Sequence, residues 1–310
     1  MTTFIDFARS HGVQIDPARF VAGEKIRRCG TIDKPKSTNG AWFWDGSRGF
    51  VWNWAGEARP QWFEDPTAKP WTDAEKRAWA LRQQTDKATR EAGYRNAALR
   101  SDIMLRSAVL QPHNYLAFKG FKDEAGFVAE DGALLVPMRS MSGDLQGLQV
   151  IRWLDDERRY EKRMAPGMRA KGAVFRIGRP QARETMLVEG YATGLSVAAA
   201  QRSVGIAASV LVCFSDSNMV HVAPMAKGRC MVFADNDKSG AGERAAVETG
   251  FPYCMSDTVG EDANDLHQRA GLMAVCKLLM EVRMASKAPR TWPPPAPHCA
   301  GRHGATTAAP

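Results

Sequence analysis

The sequence has no closely spaced cysteines. Its six lie at positions 29, 213, 230, 254, 276 and 299, with no Cys-x-x-Cys pair. A zinc ribbon and a disulfide framework are both unsupported by that spacing, and no zinc is expected. No apolar run approaches the 18 or so residues a membrane span needs, so no membrane partner is expected. The first residues, Met1-Thr2-Thr3-Phe4-Ile5-Asp6, lack the basic-then-apolar pattern of a secretory signal, and the expected location is the cytoplasm. A phosphate loop of the form Gly-x-x-x-x-Gly-Lys-Ser/Thr is also missing, which argues against a fused nucleotide-driven motor.

What the chain does have is charge, unevenly placed. It is 310 residues long with a formal net charge of +8. Residues 1–180 hold 30 Lys and Arg against 22 Asp and Glu, whereas residues 181–285 hold 9 against 12. A basic front beside an acidic segment suits an enzyme acting on nucleic acid. Apolar residues make up 44% and charged residues 25%, an ordinary globular balance.

The acidic signals fall between Thr185 and Asp265. Met186-Leu187-Val188 runs into Glu189-Gly190, and Cys230 to Ala234 runs into Asp235-Asn236-Asp237. A third signal is Glu261-Asp262-Ala263-Asn264-Asp265. Short apolar runs closed by turn residues read as buried parallel strands. Helical patterns alternate with them, which predicts an α/β fold with a parallel sheet flanked by helices. In such a sheet the working site lies at the carboxyl ends of the strands. Carboxylates gathered there repel one another unless a cation sits among them, and hard oxygen ligands suit Mg²⁺ or Mn²⁺. A strand ending in Asp or Glu is also a common helix cap, so each signal taken singly has a plain structural explanation.

Glu189-Gly190-Tyr191-Ala192-Thr193, Asp235-Asn236-Asp237 with Gly240, and Asn264-Asp265-Leu266 together resemble the Toprim domain of DNA primases of the plasmid and phage type. Ser217-Asn218-Met219 fits the segment after that family's next strand. His113-Asn114-Tyr115-Leu116 followed by Lys119-Gly120 is similar to another of its segments. The resemblance covers residues 110–270 well and 20–60 weakly. It departs from the bacterial housekeeping primases at Thr193, where they carry an Asp.

The resemblance implies catalytic Glu189, Asp235 and Asp237, with Asp262 and Asp265 completing a set that holds one or two Mg²⁺ or Mn²⁺ ions. It leaves open whether Glu189 is a base or only a ligand. It implies a basic subdomain at 111–180 that feeds ribonucleoside triphosphates to the metal through Lys162, Arg163, Arg169 and Lys171, joined by Lys238. The implied partners are single-stranded DNA, ribonucleotides and a replicative helicase, and a monomer is expected. A Toprim-type nuclease and a non-catalytic single-stranded-DNA-binding accessory stand as alternatives.

Along the chain, residues 1–64 read as a small metal-free α+β module rich in Trp. Trp42, Trp44, Trp52 and Trp54 would form one cluster if their strands pair. Those rings, interleaved with Arg27, Arg28, Lys34, Lys36 and Arg48, fit stacking on unpaired bases, or else simply the core of a thin sheet. Trp44 is the expected stacking ring. Residues 65–110 read as a helical linker, with a Pro-containing start and a charged helix over 73–107 acting as a spacer. Residues 181–285 form the Toprim segment, and a single helix is expected over 265–284. Residues 286–310 are Pro- and Ala-rich and read as a disordered tail.

Overall fold

The computed structural model describes residues 3–54, 59–65 and 72–285. The expected linker start at Pro66 to Pro70 and the expected disordered tail, with His298, Cys299 and His303, lie outside the described residues. The chain divides into two compact units, Met1–Thr85 and Asp86–Pro310, with the boundary inside one helix.

In the first unit, α1 (Phe4–Ser10) starts at a capping box in which Thr3 and Asp6 satisfy each other's backbone amides. It packs on a five-stranded sheet of β1 (Val13–Gln14), β2 (Gly23–Thr31), β3 (Gly40–Trp44), β4 (Arg48–Asn53) and β5 (Gln61–Glu64), paired in that order. Trp42 stands opposite Val51, and Ala41 opposite Trp52. Directly opposed residues share a face and neighbours alternate. The expected single indole cluster is therefore split. Trp42 and Trp44 face inward against Phe4 and Phe20, while Trp52 and Trp54 meet each other on the opposite face.

The helix α2 (Asp73–Ser107) contains the unit boundary. Thr72 and Glu75 cap its start reciprocally. Its second half is more than a spacer. Ala97 is buried with Met138, Met168 and Ala173, and Met104 and Leu105 pack on Ala133, Leu135 and Leu148.

The second unit holds two sheets. The first consists of β6 (Val109–Pro112), β7 (Ala125–Val128), β8 (Leu134–Arg139), β9 (Leu145–Leu154) and β10 (Arg159–Met164), all antiparallel in sequential order. A short α3 (Asn114–Phe118) follows β6. The second sheet begins with β11 (Phe175–Ile177), which pairs antiparallel at one edge. Although it immediately follows the basic stretch, β11 belongs to this second sheet. Then come β12 (Glu184–Val188), α4 (Tyr191–Ser203), β13 (Ser209–Val212), α5 (Asp216–Val222), β14 (Arg229–Phe233), α6 (Ala241–Thr249) and β15 (Tyr253–Cys254). Helices α7 (Ala263–Ala270) and α8 (Leu272–Ala285) are the last elements of the described residues. The single helix expected over 265–284 is broken at Gly271, whose φ of +82° suits glycine.

The sheet order is β11-β13-β12-β14-β15, with β12 parallel to both β13 and β14. The two-residue period of these strands divides the core. Met186, Val188, Val210, Val212, Met231 and Phe233 face α4, α7 and α8. Leu187, Leu211 and Val232 face α5 and α6 through Met219, Val222 and Ala246. Burying each of these large side chains stabilises the sheet by roughly 1.5–3 kcal/mol, which explains why the central strands read as continuous apolar runs.

Candidate active site

The three central strands deliver one carboxylate each to the same end of the sheet. Glu189 directly follows β12, and Asp235 follows β14 by two residues. Asp216 opens α5, just beyond β13. The turn that presents Asp216 is fixed by Cys213 N–H donating to Val188 O and Phe214 N–H donating to Glu189 O, both at 2.8 Å. Phe214 holds a φ of +65° there, a conformation that costs a non-glycine residue energy. Asp216 is not among the expected site residues, although it carries the same signal as the others: a carboxylate shortly after a buried apolar run.

These groups are poised against their own ionisation. Burial, then the neighbouring Asp216 and Asp237 carboxyls, pushes Glu189 up to about 7, while Lys162 pulls it the other way. Burial, with Asp262, Glu189, Asp216 and Asp265 around it, pushes Asp235 up to about 8. Burial also raises Asp216. Asp235 Oδ1 and Asp216 Oδ1 are buried without a hydrogen-bond partner. A buried carboxylate oxygen without a donor is costly, and a cation would satisfy it.

The other expected ligands are engaged in holding the frame. Asp237 Oδ1 accepts from Ser239 N–H and from the Ser239 hydroxyl, and Asp237 Oδ2 accepts from Gly242 N–H at 2.8 Å. These donors, the Gly242 amide first, hold its carboxyl well below the usual range. Gly242 is required for this turn, because a Cβ there would lie 2.3 Å from Asp235 O. Asp262 and Asp265 form the capping box of α7. Asp262 Oδ2 also accepts from Thr193 Oγ1 at 3.0 Å, so the threonine at the departing motif position is a partner of the acidic set rather than a member of it. Among the described residues, no three Asp, Glu, His or Cys side chains stand close enough to enclose a metal ion. The unpaired oxygens of Asp235 and Asp216, with Glu189 beside them, fit Mg²⁺ bound in its usual way, through one or two carboxylates with water and substrate phosphates completing the shell.

Cations approach this centre from the antiparallel sheet. Lys162 on β10 acts on Glu189 and sits 5.6 Å from the Tyr115 ring centroid. Lys119 at the end of α3 lies 3.8 Å from Asp265. Its carbonyl is fixed by the buried Asn264 side chain, whose Nδ2 donates to Lys119 O at 2.8 Å. Buried Asn218 ties the basic loop down. It accepts from Gly172 N–H and donates to Ala173 O and Cys213 O.

The rest of the expected phosphate set is dispersed. Arg163 pairs with Glu161 at 2.8 Å. Arg169 pairs with Glu91 and lies over the Tyr94 ring, both on α2, so its charge is compensated by the helix rather than offered to phosphate. Lys171 and Lys238 are exposed.

In the first unit, Lys34 and Lys36 are exposed in the β2–β3 turn, and Arg27 lies over Trp42. Two expected nucleic-acid contacts turn inward. Trp44 stacks on Phe4 at 4.7 Å and meets Phe63, because its strand position shares the face that covers α1. The Arg48 side chain is only 13% exposed and pairs with Glu64 across the β4–β5 ladder. The opposite face pairs an aromatic with a cation: Arg28 lies 3.3 Å over the ring of Trp54, which is 39% exposed.

No protein-family model matches the chain, and neither does any curated protein. Among solved structures, the chain is similar to a DnaG primase catalytic domain bound to single-stranded DNA, with 16% identity and a TM-score of 0.34 over 61% of this chain and 74% of that one. It is also similar to a DnaG catalytic core, with 16% identity and a TM-score of 0.36 over 66% and 72%. An E. coli primase catalytic core gives 16% identity and a TM-score of 0.34 over 67% and 77%.

Proposed function

We propose that the chain is a primase, which joins ribonucleotides into a short RNA on single-stranded DNA. The observation that carries this reading is the convergence of Glu189, Asp216 and Asp235 from three adjacent strand ends, with two buried carboxylate oxygens lacking partners and lysines beside them. Glu189 and Asp235 would hold Mg²⁺ or Mn²⁺, with Asp216 next to them. When bound, the ion would lower the pKa of the attacking 3′-hydroxyl and neutralise the triphosphate. In the reaction the 3′-oxygen bonds to the α-phosphorus of the incoming nucleotide, the bond to the β-phosphate oxygen breaks, and pyrophosphate leaves. Where Glu189 is not itself bound to the ion, its carboxyl, pushed up by burial, is the group placed to accept the hydroxyl proton. Lys162 and Lys119 would steady the phosphates. Asp237 keeps the 235–242 turn rigid through its three accepted hydrogen bonds.

The direct test supplies a single-stranded template, ribonucleotides and Mg²⁺ or Mn²⁺ with no primer. Labelled RNA a few nucleotides long is expected. Cleavage of the template without RNA would favour the nuclease reading and end this one.

The first unit is proposed to bind the template. A chain of residues 86–285 keeps the packing half of α2 and is expected to bind single-stranded DNA more weakly than the full chain. The slope of log affinity against log salt should also be shallower, by about 0.7 for each phosphate that the shorter chain no longer neutralises. Fluorescence anisotropy at two salt concentrations measures both. Equal slopes in the two chains would remove the template role from residues 1–85.

A further inference from the structure

Two buried asparagines flank the carboxylates. Asn218 on α5, 7% exposed, comes two residues after Asp216. Its Oδ1 accepts from Gly172 N–H at 2.7 Å, and its Nδ2 donates to Ala173 O at 2.8 Å and Cys213 O at 2.7 Å. Cys213 N–H in turn donates to Val188 O, beside Glu189. One amide therefore joins the turn that presents Asp216 to the loop that leaves β10, the strand of Lys162. Asn264 on α7, 0% exposed, lies between Asp262 and Asp265. Its Nδ2 donates to Lys119 O at 2.8 Å and Ser196 Oγ at 3.1 Å, and its Oδ1 accepts from Gln268 Nε2 at 2.9 Å. A second amide thus joins the acidic end of α7 to Lys119, the cap of α3.

Helix formation does not explain these residues. Asparagine is a poor helix former, and a buried amide is costly unless bonded. The Asn218 position also demands an amide, because it meets a donor on one side and two acceptors on the other. Asp would set a carboxylate against two carbonyls, and Leu would leave all three backbone groups unpaired. Apolar packing holds the two sheets together without direction, whereas these bonds fix where one sits against the other. Lys119 and Lys162 lie on one side of the bonds, and the carboxylates on the other.

We propose that Asn218 and Asn264 are positioning residues that set the span between the lysines and the carboxylates. The proposal rests on the primase reading, in which one triphosphate meets the lysines and the ion at Glu189 and Asp235 together. A displacement of about 1 Å between such groups costs roughly a hundredfold in rate. Neither asparagine touches the substrate.

The test reads the coupling between the two sides. ATP binding to the full chain is titrated calorimetrically with and without saturating Mn²⁺. In the parent, Mn²⁺ is expected to tighten ATP binding about tenfold or more. In Asn218→Ala and Asn264→Ala that tightening should fall below about threefold. ATP alone and Mn²⁺ alone should each bind within about threefold of the parent, because the lysines and carboxylates all remain. In unprimed synthesis kcat should fall about ten- to a hundredfold, more than the KM for nucleotide rises. Thr185→Val is the control for ordinary loss of a buried bond. It removes the bond from the Thr185 hydroxyl to Lys227 O, toward the end of β12 away from Glu189. It should keep both the tightening and kcat within about twofold.

Tightening retained in either asparagine variant would overturn the proposal. So would a parent whose ATP affinity ignores Mn²⁺, variants that lose ATP or Mn²⁺ binding outright, or an equal loss in Thr185→Val. If the coupling follows the expected pattern and no chain makes RNA, the primase reading fails and the positioning stands. If the parent makes RNA and either asparagine variant keeps its kcat, the positioning fails and the primase reading stands.

Discussion

Asp235→Asn is expected to make the metal-free protein more stable at pH 8 and to abolish synthesis. Asp235 is pushed up to about 8, by burial first and then by the surrounding carboxyls, against an ordinary value near 3.9. A carboxyl whose folded pKa is raised keeps its proton in the native state while the unfolded chain has lost its own. The native state therefore binds more protons across this window, and stability falls as pH rises from about 4 to about 8. Asparagine has no charge to develop. At pH 8 the variant should gain about 2–5 kcal/mol, or roughly 5–15 °C in melting temperature for a unit of this size. Near pH 4.5 the gain should shrink to about 1 kcal/mol. Saturating Mg²⁺ should stabilise the parent at pH 8 and the variant little, because an ion that binds only the folded state raises its stability. RNA synthesis should fall on the order of a thousandfold, equivalent to about 4 kcal/mol of transition-state stabilisation. Thermal melts at the two pH values, with and without Mg²⁺, check the stability arm. A variant that melts lower than the parent at pH 8 would remove the electrostatic account of the site.

Trp44→Ala and Trp54→Ala are expected to fail in opposite ways. Trp44 packs on Phe4, Phe20 and Phe63 in the core of the first unit. Its loss leaves a void beside α1 and should cost about 2–4 kcal/mol of that unit's stability. DNA binding per folded molecule should stay the same. Trp54 lies on the opposite face under the Arg28 guanidinium. Its replacement should cost about 1–3 kcal/mol of affinity for single-stranded DNA and little stability. Melting curves and oligonucleotide titrations of both variants separate the two faces. If Trp44→Ala weakens binding without lowering the melting temperature, the face assignment is reversed.

The two tryptophans mark the limit of what a sequence carries. Which indoles point inward depends on Trp42 standing opposite Val51, a register that alternation within either strand cannot supply. Arg48 and Arg169 read as free cations because their partners, Glu64 and Glu91, are distant along the chain. The parallel strands were legible because burial on both faces demands unbroken apolar runs, and the carboxylates of Glu189 and Asp235 sit where those runs end. Asp237, Asp262 and Asp265 were equally visible as acids. That their oxygens already accept from backbone amides is a matter of turn geometry, which composition does not carry. Asp216 is masked in the sequence by the adjoining Ser217-Asn218-Met219, the part of that turn singled out by resemblance alone.

The three sheets also bear on solubility. Each has two outer strands with hydrogen-bonding groups facing away from the sheet, the usual template for unwanted pairing between copies. Here β1 and β15 are two residues long and β11 three. β5 has four residues and β6 four, the latter ending in Pro112. The longest of them, β10, reads Arg159-Tyr160-Glu161-Lys162-Arg163-Met164, with four of its six residues charged. Among the described residues, no long uncharged edge is left for a second chain to extend. Concentrated solutions of the protein should therefore resist strand-addition aggregation, even with fifteen strands among the described residues.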